Sequence, residues 1–414
     1  MTSKQTQDTS SAKAPDLRDP QNILTIIVIV IGAALAYAAY DFSGWQFVLL
    51  FAIGIIIGFS LFHARFGFAS VYRQIVETGN TEMLRAHMLM LATATTLFAL
   101  ILALHLGLFG NVPMGATSPI SVGLIIGSFM FGFGMEIGSG LAPAAMYRAE
   151  GSRTASIFTI LGFLIGATVG AVHFSFWNEE LPSIPEVSLA LDTPLGYSGA
   201  WGLQIAIFAA VGIGSYMYKK RKQPPPLPPL PSAPDWRKVI FGSWPLWVGA
   251  VLLAAGNAAV LVVQGEPWKL TAAFTLWGSK LADALGFQAS EWGYWGEQEP
   301  LSDLTQSVFM NELSVLNFGV LIGTAITLTL GGLVRFGKIP PRIGVVALLG
   351  GTFMGYGACI SFGANIGAYF SGIASFSLHA WIWAPLAIFG TYTAYFTEKK
   401  FQLTRSVSRE TGKN

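Results

Sequence analysis

The carboxylate of Glu136 stands inside an apolar stretch with no lysine or arginine within ten positions on either side. An ionisable side chain placed so is costly to bury, and within a membrane it marks a functional site by default. Protonated, it could donate a hydrogen bond to an anion; titrating, it could couple a solute to protons. The bland alternative is a structural carboxylate that caps a neighbouring helix or accepts from a Tyr or Asn. Glu136 belongs to residues 132–141, GFGMEIGSGL, and residues 355–364, GYGACISFGA, repeat its glycines at the same three offsets 223 positions later. Cys359 holds in the second copy the place that Glu136 holds in the first. A small buried packing residue is the ordinary role of a free cysteine; a thiol facing a solute path is the chemical one.

Gly132, Gly134 and Gly140 in one copy, and Gly355, Gly357 and Gly363 in the other, allow the chain to leave a helix and begin a new one. Pro143 comes early in the first following segment and Asn365 near the start of the second, and these residue types suit a first helical position and an N-cap. Backbone N–H groups and the positive dipole ends of two opposed half-helices then make an anion site without lysine or arginine. Unwound backbone at bilayer depth survives only where protein or a water-lined cavity satisfies it, so paired interruptions point to a permeation or binding site. Close helix packing through small residues competes as an explanation of the same glycines.

Further polar residues sit within or beside apolar segments: His63, Arg65, Arg73, Arg85, Asn311, Glu312, Asn317 and Asn365. Arg65 and Arg73 could recruit an anion electrostatically or anchor their segment at the membrane interface. The five histidines are dispersed without metal-site spacing, and a phosphate-binding loop of the G-x-x-x-x-G-K-[ST] type is absent, so neither a metal, a cofactor nor nucleotide-driven transport is expected. With one cysteine there is no intrachain disulfide and no relay among several thiols.

Composition sets the elements that must position these residues. The 414 residues are 53% hydrophobic and 11% charged, against about 25% charged in soluble chains, and mean hydropathy is +0.56. The chain is expected to be an all-α polytopic membrane protein. A net charge of +2, without a basic tract interleaved with aromatics, excludes nucleic acid. Candidate spans are 22–41, 45–63, 83–106, 119–136, 154–177, 199–218, 239–264, 304–333, 343–358 and 378–397. Segments 64–79, 141–149, 268–286 and 364–374 are apolar but too short to cross, which suits half-helices or re-entrant segments.

Residues 1–21 read as a disordered cytoplasmic tail, 22–218 as a first membrane half, 219–238 as a basic, proline-rich cytoplasmic linker, 239–397 as a second half and 398–414 as a basic cytoplasmic tail. Lysine and arginine in short loops stay cytoplasmic, which places Lys219 to Lys222, Arg237, Lys238, Arg335, Lys338, Arg342, Lys399 and Lys400 inside. The acidic loops 178–198 and 287–303 contain no lysine or arginine and fall outside. The first glycine segment then runs outside to inside and the second inside to outside, so two inverted-topology halves are expected, with their broken segments meeting near the bilayer midplane.

Residues 354–375, MGYGACISFGANIGAYFSGIAS, closely resemble the YeeE/YedE family of bacterial inner-membrane sulphur transport proteins. The stretch 59–73, which contains RFGFASVYR, is similar to another family signature, and 132–148 and 317–332 resemble others. The resemblance implies two inverted halves with short central helices and a small-molecule anion such as thiosulfate as solute. It also implies that thiols pass the anion along by S–H hydrogen bonds, one within R-F-C-F and one closing each G-G-C motif. The matching positions here are Gly67, Leu141 and Ala364, so the relay does not carry over, while the scaffold and helix dipoles do. The expected function is an inner-membrane transporter or channel for a small sulphur-containing anion. A non-transporting scaffold for a cytoplasmic sulphur-transfer or redox protein is the alternative, and an enzyme is disfavoured for want of a nucleophile, base and metal constellation.

Overall fold

A computed structural model describes residues 21–64, 68–139, 152–224, 244–334, 337 and 339–401. Twelve helices organise them: α1 Asn22–Ser43, α2 Trp45–His63, α3 Phe68–Thr78, α4 Glu82–Ala103, α5 Val122–Ser139, α6 Ser152–Val172, α7 Gly196–Lys222, α8 Leu246–Gln264, α9 Leu270–Ala284, α10 Glu312–Leu330, α11 Pro341–Ile360 and α12 Leu378–Phe401. Among the described residues, eight helices are long and apolar enough to cross a membrane, and the stretch Val122–Gly138 is apolar but shorter. The protein is an all-α polytopic membrane protein. Outward-facing Ile23, Ile26, Ile29 and Val30 on α1 are each more than half exposed, a face stable against lipid rather than water.

The short segments take the forms that breakers and caps dictate. Gly44, at φ +76°, separates α1 from α2, and Gly265 ends α8 in the left-handed region. Pro341 opens α11 at a position where its missing N–H costs nothing. The expected span 304–333 is corrected: α10 begins only at Glu312 because the Asn311 side chain accepts from the Ser314 backbone N–H at 2.8 Å and caps it. The preceding residues form a turn at Ser302–Thr305 and a 3₁₀ turn at Val308–Met310. The expected half-helix 364–374 is present as a π-helical turn, Asn365–Ser371, running into Gly372–Ala374. Segment 141–149 lies outside the described residues.

The helices pair through glycine. A methyl group on Gly54 or Gly58 of α2 would strike the carbonyls of Leu316 or Val320 on α10, and one on Gly319 or Gly323 would strike those of Phe51 or Ile55. On α6, Gly162 and Gly166 meet the carbonyls of Leu348 and Thr352 of α11, and Gly355 answers from α11 against Phe163. With no hydrophobic drive between helices in lipid, this close backbone approach and its dispersion contacts hold the bundle.

Most of the principal helix contacts come in reciprocal pairs. α2 packs on α10 and α4 on α8; α5 on α12 and α6 on α11; α1 on α10 and α7 on α4; α3 touches α12 and α9 touches α6. α5 meets α11 and α2 meets α8 across the middle. Exchanging α1 to α6, in order, for α7 to α12 leaves these pairings unchanged.

Candidate functional site

The break after α11 is the best-defined feature of the site. Ile360 ends the helix, Phe362 adopts φ +61° and Gly363 φ +141°, and Ala364 is extended before the short helix starts at Asn365. Gly363 takes a conformation that a side chain would strain. The Ser361 hydroxyl donates to the Gly357 carbonyl at 2.6 Å and accepts from Trp383 Nε1 at 3.1 Å. The Gly363 N–H reaches back to the Ala358 carbonyl at 2.8 Å. The leading N–H groups of the short helix have no intrahelical acceptor and point from its start.

Helices α5 and α11, which carry the two glycine segments, pack on each other. Gly357 lies against the Gly127 carbonyl, Gly134 against the Gly350 carbonyl and the Met354 N–H, and Gly132 against the Ala387 carbonyl. All four of Gly132, Gly134, Gly355 and Gly357 lie inside continuous helix and serve close packing. Asn365 Nδ2 donates to Met135 Sδ at 3.2 Å, joining the break to α5 next to Glu136. Glu136 is buried, at 2% exposure. Ala364 is also buried, in the extended link of the break. Gly67, Gly140, Leu141 and Arg65 lie outside the described residues, as does the side chain of Arg73, whose backbone belongs to α3.

Cys359 is buried, packs on Gly170 of α6 and lines a cavity of about 20 Å³ beside the break. The opposite wall brings in Lys269, Thr271, Tyr294 and Glu299, none of which the sequence reading selected. Their signal was weak: Lys269 opens a short apolar segment, and Glu299 is one of several acids in a connecting loop. Lys269 Nζ contacts Glu266 Oε2 at 2.6 Å. Burial pushes Glu299 up to about 7 against the pull of Lys269, with Glu266 and Asp303 adding to the rise. Burial likewise holds the Tyr294 phenol protonated, raised well above its ordinary range.

A buried hydrogen-bond chain fixes the start of α9 against the short helix. Asn257 accepts from the Trp268 N–H at 2.9 Å and donates to Ser371 Oγ at 2.9 Å; Ser371 donates in turn to the Trp268 carbonyl at 3.0 Å. Trp268 Nε1 donates to Asn317 Oδ1 at 2.9 Å, and Asn317 donates to the Leu270 carbonyl at 3.2 Å. Four segments are thereby tied around the residue next to Lys269. Nearby, Ser175 Oγ lies 3.5 Å from Glu297 Oε2. Partial burial, then the hydrogen bond with Glu297 and its charge, raise Glu179 to about 7. Among the described residues, no cluster of His, Cys, Asp and Glu is arranged to hold a metal.

Comparison with known proteins places this architecture. The sulphur transport family profile matches residues 63–393. The thiosulfate transporter TsuA of Spirochaeta thermophila is 24% identical over 364 residues, covering 82% of this chain and 96% of that protein. TsuA of Escherichia coli is 23% identical over 351 residues, covering 82% and 91%. The probable transporter YedE of Escherichia coli is 32% identical over 135 residues, so the match spans 31% of this chain and 32% of that relative's length. The chain belongs to the sulphur transport family.

Proposed function

We propose that this protein transports a small sulphur-containing anion of the thiosulfate kind across a bacterial inner membrane, without a cysteine relay. The observation that carries the reading is the break at Phe362–Gly363. It presents the start of a short helix beside a small cavity and is joined by Asn365 to α5 of the other half. Helix-start N–H groups and a positive dipole end stabilise an anion, so Gly363, Ala364 and Asn365 form the path on one side and Glu136 borders it on the other. The names of the TsuA relatives agree with this substrate class.

The reciprocal helix contacts support two inverted units, α1–α6 and α7–α12, in which α3 of the first corresponds to α9 of the second. Under this topology both termini are cytoplasmic. Lys219 to Lys222, in the last turn of α7, lie inside, and the segment from α9 to α10 lies outside. The proline-rich connection then falls within the second unit, between α7 and α8.

Uptake tests the reading. Cells lacking other sulphur uptake routes, supplied with labelled thiosulfate, sulfite or sulfate one at a time, should accumulate at least thiosulfate when this chain is expressed. The Cys359→Ala variant should do so at the wild-type rate. Absence of uptake on every anion overturns transport, whereas loss of uptake in Cys359→Ala alone overturns the thiol-free path.

A further inference from the structure

The cavity beside the break is lined by a lysine, a threonine hydroxyl and one carboxylate, that of Glu299. Its lining includes Thr271 and Ala272 in the first turn of α9, a helix of 15 residues whose leading N–H groups lack intrahelical acceptors. Thr271, the second residue of that turn, is 5% exposed, lines the cavity, and its hydroxyl has no hydrogen-bond partner. A buried hydroxyl left unmatched is rare in a folded protein and calls for a ligand or water. Lys269, immediately before the helix, lines the same cavity and supplies the positive charge. Glu299 lines it too, from the connecting segment. The volume of about 20 Å³ holds one water-sized atom, so a tetrahedral oxyanion enters only when the Glu299 side chain withdraws.

We propose that Lys269, Thr271 and the first turn of α9 form an outward-facing oxyanion subsite that Glu299 occupies in the anion's absence, so that each anion enters together with a proton taken up by Glu299. The proposal rests on the anion-transport reading above and adds the entry site and its coupling ion. Lys269 Nζ pairs with Glu266 Oε2 at 2.6 Å beside the cavity, and the Glu299 carboxylate within it bears on the same ammonium by its charge. An incoming anion competes with Glu299 for the ammonium and for the helix dipole, and protonation ends that competition. The groups facing Glu299 are Lys269, Glu266 and Asp303, with Tyr294 and Cys359 alongside. Tyr294 lies outside the spans, and its burial keeps it neutral. Burial raises Glu299 to about 7, so its carboxylate is progressively neutralised as pH falls through that value and progressively charged as pH rises. Anion entry therefore strengthens as the outer face acidifies.

Purified full-length protein in liposomes tests this with labelled thiosulfate at outer pH 5.5 to 8.5. For one linked proton, the wild-type KM should rise toward tenfold per pH unit above about 7. Glu299→Gln should keep a low KM and a flat pH profile. Lys269→Met and Thr271→Val should raise KM with little change in kcat, and Lys269→Arg should restore it; an unaltered tryptophan emission and size-exclusion profile verifies folding. Wild-type flux whose KM and pH slope survive Lys269→Met and Glu299→Gln unchanged overturns the subsite and leaves transport standing. Should the wild type carry no thiosulfate, its thermal shift with thiosulfate in detergent decides: a shift abolished by Lys269→Met supports the subsite and overturns transport, and no shift overturns both.

Discussion

Single residues here act mostly by how little space they occupy. Gly355 of α11 approaches the Phe163 carbonyl of α6 so closely that a methyl group must push the two helices apart. Gly355→Ala should therefore destabilise by about 1–3 kcal/mol, the range for an overpacked interior, and lower the unfolding temperature in detergent. Gly212 of α7 has nothing within 4 Å of its Cβ direction. Gly212→Ala should gain about 0.5–1 kcal/mol from helix preference, so equal responses at the two positions would show that the α6–α11 contact is looser than described. The glycines of the two repeated segments divide in the same way: Gly132, Gly134, Gly355 and Gly357 let helices touch, and Gly363 with φ +141° shapes the break.

At the scale of elements, two connections control the surroundings of the cavity. The first is the buried chain from Asn257 through Ser371 and Trp268 to Asn317, which holds the start of α9 against the short helix. Asn317→Ala strands the buried Trp268 Nε1 donor and should cost roughly 1–3 kcal/mol. A double-mutant cycle with Trp268→Phe measures it, and additive losses would mean that this hydrogen bond contributes nothing. The second is the contact between Glu179, after α6, and Glu297 in the segment that also supplies Glu299. Glu179 is raised from 4.5 to about 7, so the folded state binds the extra proton. The stability this gives is complete below about 4.5 and is lost as pH rises through about 7. The segment around Glu297 should accordingly become more protease-sensitive between pH 5 and 8, and Glu179→Gln should flatten that dependence; a variant with the full wild-type pH response would exclude the pair as its source.

For the whole molecule, the reciprocity of helix contacts gives the inverted arrangement a direct test. Lys222 at the end of α7 and Gln288 after α9 are both exposed, and the proposed topology puts them on opposite faces of the membrane. In a Cys359→Ala background, Gln288→Cys should react with a membrane-impermeant maleimide added to intact cells, and Lys222→Cys only after the membrane is opened. Labelling of both from outside would refute the topology. Exchange of the two units sets α9 opposite α3, so Lys269 just before α9 corresponds to Gly67 just before α3. The second unit thus carries a cation where the first carries a glycine within its family signature.

Membrane class, the positions of most spans and three of the four short segments between them were legible in the sequence, because a bilayer demands about 20 apolar residues per crossing and glycine, proline and charge punctuate such runs directly; the fourth, 141–149, lies outside the described residues. The start of α10 was misplaced, since apolar content continues through 304–311 and only the Asn311 cap, a local hydrogen bond, decides where the helix begins. The repeated glycines recur at the same three offsets 223 positions apart, which the sequence displays directly. Only the tertiary structure decided what those glycines touch, because close packing between helices depends on which faces meet and not on spacing along one chain. The cavity was hidden for the same reason. Lys269, Thr271, Glu299 and Cys359 come from three separate stretches, each ordinary by composition, and they acquire a common chemistry only when the bundle brings them around one buried space.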